Sequence, residues 1–211
     1  MRTRPPRDFA IRRQDQLRVL RSPLRQEILD AIAGTGPISV AGLARVLDRA
    51  PDALHYHVRH LARVGLLDAS DRKRPGRRRD RVFDVPGRPL HIPPRPADAA
   101  YRSTLRGIVS AMLNLTRRQH AAAIGAPRTT FEGPRRELWA SRVTGWLTAA
   151  DLEELNRRLL RIHAGFRPRR GREADQLLAF TFVLAPVVST GRRAAGAIPE
   201  RRKSSPRRRS S

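Results

Sequence analysis

Between residues 22 and 85 the apolar positions keep a helical period through three segments and then change to the spacing of strands. Leu24, Ile28, Leu29 and Ile32 recur at the spacing of one helix face, after Ser22 and Pro23, a pair suited to an N-cap and a first helical residue. Gly34 and Gly36 are expected to end that helix. Ser39 is placed to cap a second, short helix with Val40, Leu43, Ala44 and Leu47 inward. A tight turn follows at Asp48–Ala50. Pro51 then opens a third helix with Asp52 in its first turn, where a carboxylate complements the helix dipole. Leu54, Val58 and Leu61 make its buried stripe, and Gly65 stops it. Leu66–Ala69 and Arg81–Val85 read as two short strands of a hairpin.

The second half of the chain is patterned differently. Ala97–Ala123 lacks proline, and Tyr101, Leu105, Ile108, Met112 and Leu115 step by four and three in alternation. That is a heptad seam, suited to pairing two long helices across a homodimer, or to packing on its own domain. Leu138–Leu147 is aromatic and β-branched, which predicts a strand. Thr148 with Asp151 resembles a capping box and opens an amphipathic helix carrying Leu152, Leu155, Leu159, Ile162 and Phe166. Leu177–Val188 is apolar on both faces and predicts a buried strand. The expected unit is therefore strand–helix–strand, its sheet completed by a partner subunit or covered by the Tyr101 helix. Trp139, Trp146, Phe180 and Phe182 are its candidates for an apolar pocket holding a small-molecule effector, with simple core packing as the plainer alternative.

Proline and charge divide the chain further. Residues 1–14 are polar and Pro-rich and read as a mobile basic arm. Residues 15–86 form the first folded unit. Residues 87–96 contain four prolines and read as a stiff linker. Residues 97–190 form the dimerisation and sensing unit, and 191–211 an Arg/Ser/Pro/Gly tail with too few apolar residues to order itself.

The chain has 211 residues and a formal net charge of +25. All but Lys73 and Lys203 of its 44 Lys and Arg residues are arginine, a ratio that GC-rich codon usage also produces. The surplus favours DNA, RNA or an anionic membrane surface as partner, with plain solubility as the alternative. Cysteine is absent, which removes disulfides, thiol catalysis and thiolate metal sites. No apolar run reaches the roughly 20 residues that span a bilayer, and the first residues carry no secretory pattern. These features lead to the expectation of a soluble cytoplasmic protein. With no Gly-rich phosphate loop, no nucleophile elbow and no His–carboxylate pairing, no enzyme and no cofactor is expected.

Ser70–Arg81 holds seven Lys or Arg and two Asp, a net of +5, between the two strands. Such a tip repels itself unless it faces a polyanion, and a phosphate backbone is the natural one. Helix, short helix, turn, helix and basic hairpin is the order of a winged helix-turn-helix. The expected fold class is thus mainly α with some β: a winged helix-turn-helix, a long helix, and the small strand–helix–strand unit.

Three stretches carry a family resemblance. Ser22–Leu29 (SPLRQEIL), Gly36–Leu47 (GPISVAGLARVL) and His55–Leu67 (HYHVRHLARVGLL) together resemble the opening helix, middle elements and recognition helix of ArsR-type bacterial transcriptional regulators. The resemblance covers about 15–86. It implies a homodimer that reads a palindromic operator in the DNA major groove, and the expected location is the bacterial cytoplasm, at the nucleoid. With Leu54, Val58 and Leu61 inward, the outer face of the third helix carries Asp52, His55, Tyr56, Arg59 and Arg63. Arg59 has the fork that matches guanine, and Asp52 can accept from a cytosine amino group. In the hairpin, Arg72, Lys73, Arg74, Arg77, Arg78 and Arg79 are the phosphate or minor-groove candidates. His55, His57 and His60 do not share one face and no carboxylate joins them, so no metal site is expected. The competing reading is a non-specific RNA-binding or nucleoid-associated protein in which arm, hairpin and tail act by charge alone.

Overall fold

The residues that pattern as helices form them, and their caps explain the boundaries. The computed structural model describes residues 8–74, 77–95, 97–166 and 176–187, with the side chains of 72–74 and 77–79 outside that description. The fold mixes α and β. Helix α1 spans Gln14–Val19 and α2 spans Pro23–Thr35. Pro23 opens α2, but Ser22 makes no side-chain cap bond and acts only through its extended backbone. Gly36 closes the helix at φ +84°, donating its N–H to Ile32 O at 2.9 Å. After strand β2 (Ile38–Ser39), helix α3 runs Val40–Leu47. Here the serine cap forms as expected: Ser39 Oγ accepts from Gly42 N–H at 3.2 Å. Asp48 turns the chain in the left-handed region (φ +49°), and helix α4 (Pro51–Arg63) begins three residues later.

Strands β3 (Asp68–Arg74) and β4 (Arg77–Asp84) form an antiparallel hairpin longer than the sequence pattern predicts. β2 pairs with β4, Ile38 opposite Phe83, giving the sheet order β2–β4–β3. The interior is built from Leu17, Ile28, Ile32, Leu43, Leu54, Val58, Leu61 and Leu66, all essentially inaccessible to solvent.

The division of the chain departs from expectation at four places. First, residues 8–14 are not a free arm. Strand β1 (Phe9–Ala10) pairs in parallel with β5 (Leu90–His91), and Ile11 is buried in the core. Second, 87–96 is not a detached linker. Arg88 donates to the carbonyls of Ala33 (2.8 Å) and Ile32 (3.1 Å) and pairs with Asp84, and Leu90 and Ile92 pack on the core. Third, helix α5 (Ala99–Gly125) belongs to the same core as the preceding elements. Asp98 Oδ1 caps it by accepting from Tyr101 N–H at 3.0 Å, and it lies on α1 and α2. The seam Tyr101, Leu105, Ile108, Met112 and Leu115 faces inward, with Tyr101, Ile108 and Leu115 buried and the other two half-buried. The seam is therefore used within the chain. Gln14 Nε2 reinforces the contact by donating to Thr104 Oγ1 at 3.1 Å.

Fourth, the strand–helix–strand unit does not form among the described residues. Leu138–Leu147 and the described part of Leu177–Val188 are irregular, and helix α6 (Ala149–Gly165) is the one element described between them. A strand needs neighbouring backbone to accept its N–H groups. Among the described residues neither segment has one. Helix α6 starts with the capping box read from sequence, Thr148 Oγ1 accepting from Asp151 N–H at 3.2 Å and Asp151 accepting from Thr148 N–H at 3.0 Å. None of its residues is buried. The chain clusters into two units, Met1–Thr181 and Phe182–Ser211. The second contributes only residues 182–187 to the description, all irregular and exposed.

Candidate nucleic-acid interface

Helix α4 separates its residues by face as its periodicity dictates. Leu54, Val58 and Leu61 are wholly buried against α2 and α3, which fixes the rotation of the helix about its axis. Asp52, His55, Tyr56, Arg59 and Arg63 are all exposed on the outward side, and Tyr56 is 58% accessible. Among the described residues no other element covers them. An exposed tyrosine of this kind, flanked by arginines, is a surface able to meet a partner of opposite charge. The C-terminal end of α4 is also anchored. Gln16, buried on α1, donates through Nε2 to Val64 O at 3.1 Å. Gly65 then reverses the chain at φ +68°, where a side chain would be strained.

The hairpin register sorts its charges. Asp71 stands opposite Arg81 and Arg72 opposite Asp80, so acid faces base across the strands near the sheet. Further out, Arg74 stands opposite Arg77. Like charges directly across a strand pair destabilise it in isolation. Lys73, Arg74, Arg77, Arg78 and Arg79 thus lie on a stretch without acidic residues of its own. Their side chains, like that of Arg72, fall outside the described residues, as do residues 75–76. Nearer the sheet, the Arg81 guanidinium lies 5.9 Å from the Phe83 ring centroid. Arg49, in the turn before α4, is engaged by Glu27 of α2 at 3.0 Å.

A second group of side chains flanks this face and was not legible as a site in the sequence. His57 and His60 of α4 and Arg25 of α2 are half-buried. Arg25 Nε and the Nδ1 atoms of both histidines are buried without a hydrogen-bond partner among the described residues. The Tyr56 ring stands edge-on to His57 at 5.3 Å and to His60 at 5.9 Å between centroids. Burial, then the Arg25 charge, then His60 push the His57 imidazole below its ordinary pKa. Burial, Arg25 and Arg63 do the same to His60. Among the described residues no three His, Cys, Asp or Glu side chains converge as metal ligands. Periodicity places His57 and His60 near the boundary of the buried stripe. It gives no sign that Arg25 from another helix meets them there.

The four aromatic residues read as a pocket do not enclose one. Trp139 is 69% and Trp146 fully exposed. Arg136 lies over the Trp139 ring at 3.1 Å from its centroid, and Phe180 stacks on Phe166 at 5.9 Å. Phe182 is exposed and belongs to the second unit. Among the described residues the sheet expected to wall the pocket does not form.

A family model described as HVO_A0114 matches residues 20–83, the span from the residue after α1 almost to the end of β4. Among solved structures, the chain is similar to the one titled "Crystal structure of RV1404 from Mycobacterium tuberculosis". The identity is 20%, the match covers 70% of this chain and 74% of that one, and the TM-score is 0.26. Comparison with curated proteins finds no match. No helix among the described residues is long and apolar enough to cross a membrane.

Proposed function

We propose that the chain is a sequence-specific, double-stranded-DNA-binding transcriptional regulator of winged helix-turn-helix type, resembling the ArsR-type regulators. In this reading α3 and α4 are the helix-turn-helix. Helix α4 enters the major groove with Asp52, His55, Tyr56 and Arg59 toward base edges and Arg63 toward phosphate. The β3–β4 hairpin is the wing and lies along the backbone. The observation that carries the reading is the outward face of α4: five polar or aromatic residues exposed together on a helix whose opposite side is wholly buried. A rigidly seated helix with a free face is what groove recognition needs.

Reading a palindrome requires two copies of the chain. The α5 seam is not available for this, but another surface is. Trp139, Val143, Trp146, Leu147, Leu152, Leu160, Ile162 and Phe166 are all exposed. At roughly 150–250 Å² per large side chain they present on the order of 1,000 Å². Monomers rarely leave more than a few hundred Å² of apolar patch open, and a stable dimer covers about 800 Å² per partner. A second copy of this chain is the proposed occupant.

Selection of bound sites from a random duplex library tests the function. The expected result is an enriched palindrome bound at least about 1,000-fold more tightly than a scrambled duplex, with a steep fall of affinity in salt. Equal affinity for every sequence overturns it in favour of non-specific binding to RNA or the nucleoid. The acid-free hairpin tip, which carries charge but no base-reading pattern, is the feature that supports that second reading.

A further inference from the structure

We propose that Arg25, His57 and His60 form a cradle for one phosphate group of a DNA backbone, at the rim of the face that α4 presents. The inference rests on the DNA-binding reading above and adds three residues to it, one of them from outside the helix-turn-helix.

Three observations lead there. The first is unspent hydrogen-bonding capacity. Arg25 Nε and both Nδ1 atoms are buried with no partner, although buried polar groups are nearly always satisfied. With Nδ1 turned inward and unpaired, the neutral imidazoles carry their proton best on Nε2, at the half-exposed edge of each ring. The rings then present donors rather than acceptors to solvent.

The second is charge. Every ionic influence on the two histidines comes from a base: Arg25 from α2, Arg63 from the end of α4, and one histidine on the other. Tyr56 packs edge-on and brings no charge. Helix α3, which packs on both helices, carries only another cation, Arg45. Of the two acids on α2, Glu27 is held by Arg49, and neither Glu27 nor Asp30 is among the charges that act on the histidines. A half-buried cluster of donors with no acid of its own is complementary to an anion, which supplies acceptor oxygens and opposite charge together.

The third is position. Phosphates line both rims of the major groove, so a helix whose outward face meets bases has backbone at its flanks. His57 and His60 lie on such a flank, against Tyr56. A phosphate there favours the imidazolium form, so each histidine tends to take up a proton from solvent as DNA binds.

The test uses the full chain and a random-sequence duplex of about two helical turns. Imidazole NMR follows both histidines with and without the duplex, and fluorescence anisotropy follows affinity from about pH 7.5 to about pH 5.5, spanning the free-imidazole range. On duplex addition both pKa values are expected to rise by about one unit, the linkage equivalent of up to tenfold per group. Affinity should rise about fivefold or more on acidification, and His57→Gln with His60→Gln should abolish most of that gain while His55 remains. Arg25→Gln should weaken binding about fivefold for any sequence. If the duplex binds but the wild-type pKa values stay or fall, or the double variant keeps the full gain, the cradle is wrong and the DNA reading stands. If no duplex binds, both fall. The wild-type NMR measurement decides the matter even should a variant fail to fold.

Discussion

The side-chain amide of Gln26 donates to the backbone carbonyl of Ile108 at 2.9 Å, joining α2 to α5 across 82 positions of sequence. The same nitrogen donates to Leu20 O at 2.6 Å, and the residue is buried. One polar side chain thus ties the long helix to the start of the helix that precedes the proposed DNA-reading pair.

Gln26→Met keeps the shape and removes both donors. It is expected to cost about 1–2 kcal/mol of unfolding free energy, since two carbonyls lose a buried partner. Urea denaturation measures this. A change within about 0.3 kcal/mol would mean that the amide is not holding α5 in place.

Tyr56 and Arg59 separate stability from binding. Both are exposed, so alanine at either site should move stability by no more than about 0.5 kcal/mol. Arg59→Ala is expected to cost about 1–3 kcal/mol on the selected site and clearly less on a random duplex. Equal losses on both duplexes would demote Arg59 from base contact to phosphate contact. Anisotropy titrations on the two duplexes provide the comparison.

Acid should destabilise the free protein through His57 and His60. Burial first, then Arg25, holds both below the ordinary histidine pKa in the folded state. The unfolded chain, with histidines near about 6.5, therefore binds more protons in the interval between the two values. Stability is fully present above the unfolded pKa and declines as pH falls through it toward the folded values. Melting temperature against pH at fixed ionic strength should show that decline, and His57→Gln with His60→Gln should flatten it. A profile unchanged in the double variant would assign the acid sensitivity elsewhere.

Trp146 reports on association. In the single chain its ring is open to water. Dilution through the dimer dissociation range is expected to shift tryptophan emission to the red, and Trp146→Asp should give a monomer by sedimentation. A wild-type monomer at micromolar concentration, with no shift, would leave the exposed face without its proposed partner.

The legible part of the chain is the part whose elements carry their own signals. Ser39, Asp48, Pro51 and Gly65 mark the ends of α3 and α4, and the Leu54–Val58–Leu61 stripe sets which side of α4 is free. The seam from Tyr101 to Leu115 was legible as a seam. Its partner was not, because a four–three spacing packs equally well on a second copy or on α1 and α2. Leu138–Leu147 misled because aromatic and β-branched residues favour strands only where another strand lies alongside. The β1–β5 pair is too short to leave a pattern. The reach of the Arg25 charge to His57 and His60 depends on tertiary placement, invisible to any local rule.

The parallel pairing of Phe9–Ala10 with Leu90–His91 redraws what counts as one module here. A fragment excised at 15–86 would forfeit Ile11 and uncover the α1 and α2 surfaces on which Tyr101 and Ile108 rest. A fragment that keeps this core whole therefore runs from about Phe9 through Leu115. Cut free of those flanks, α2 and α4 would lose part of the packing that seats the proposed reading face.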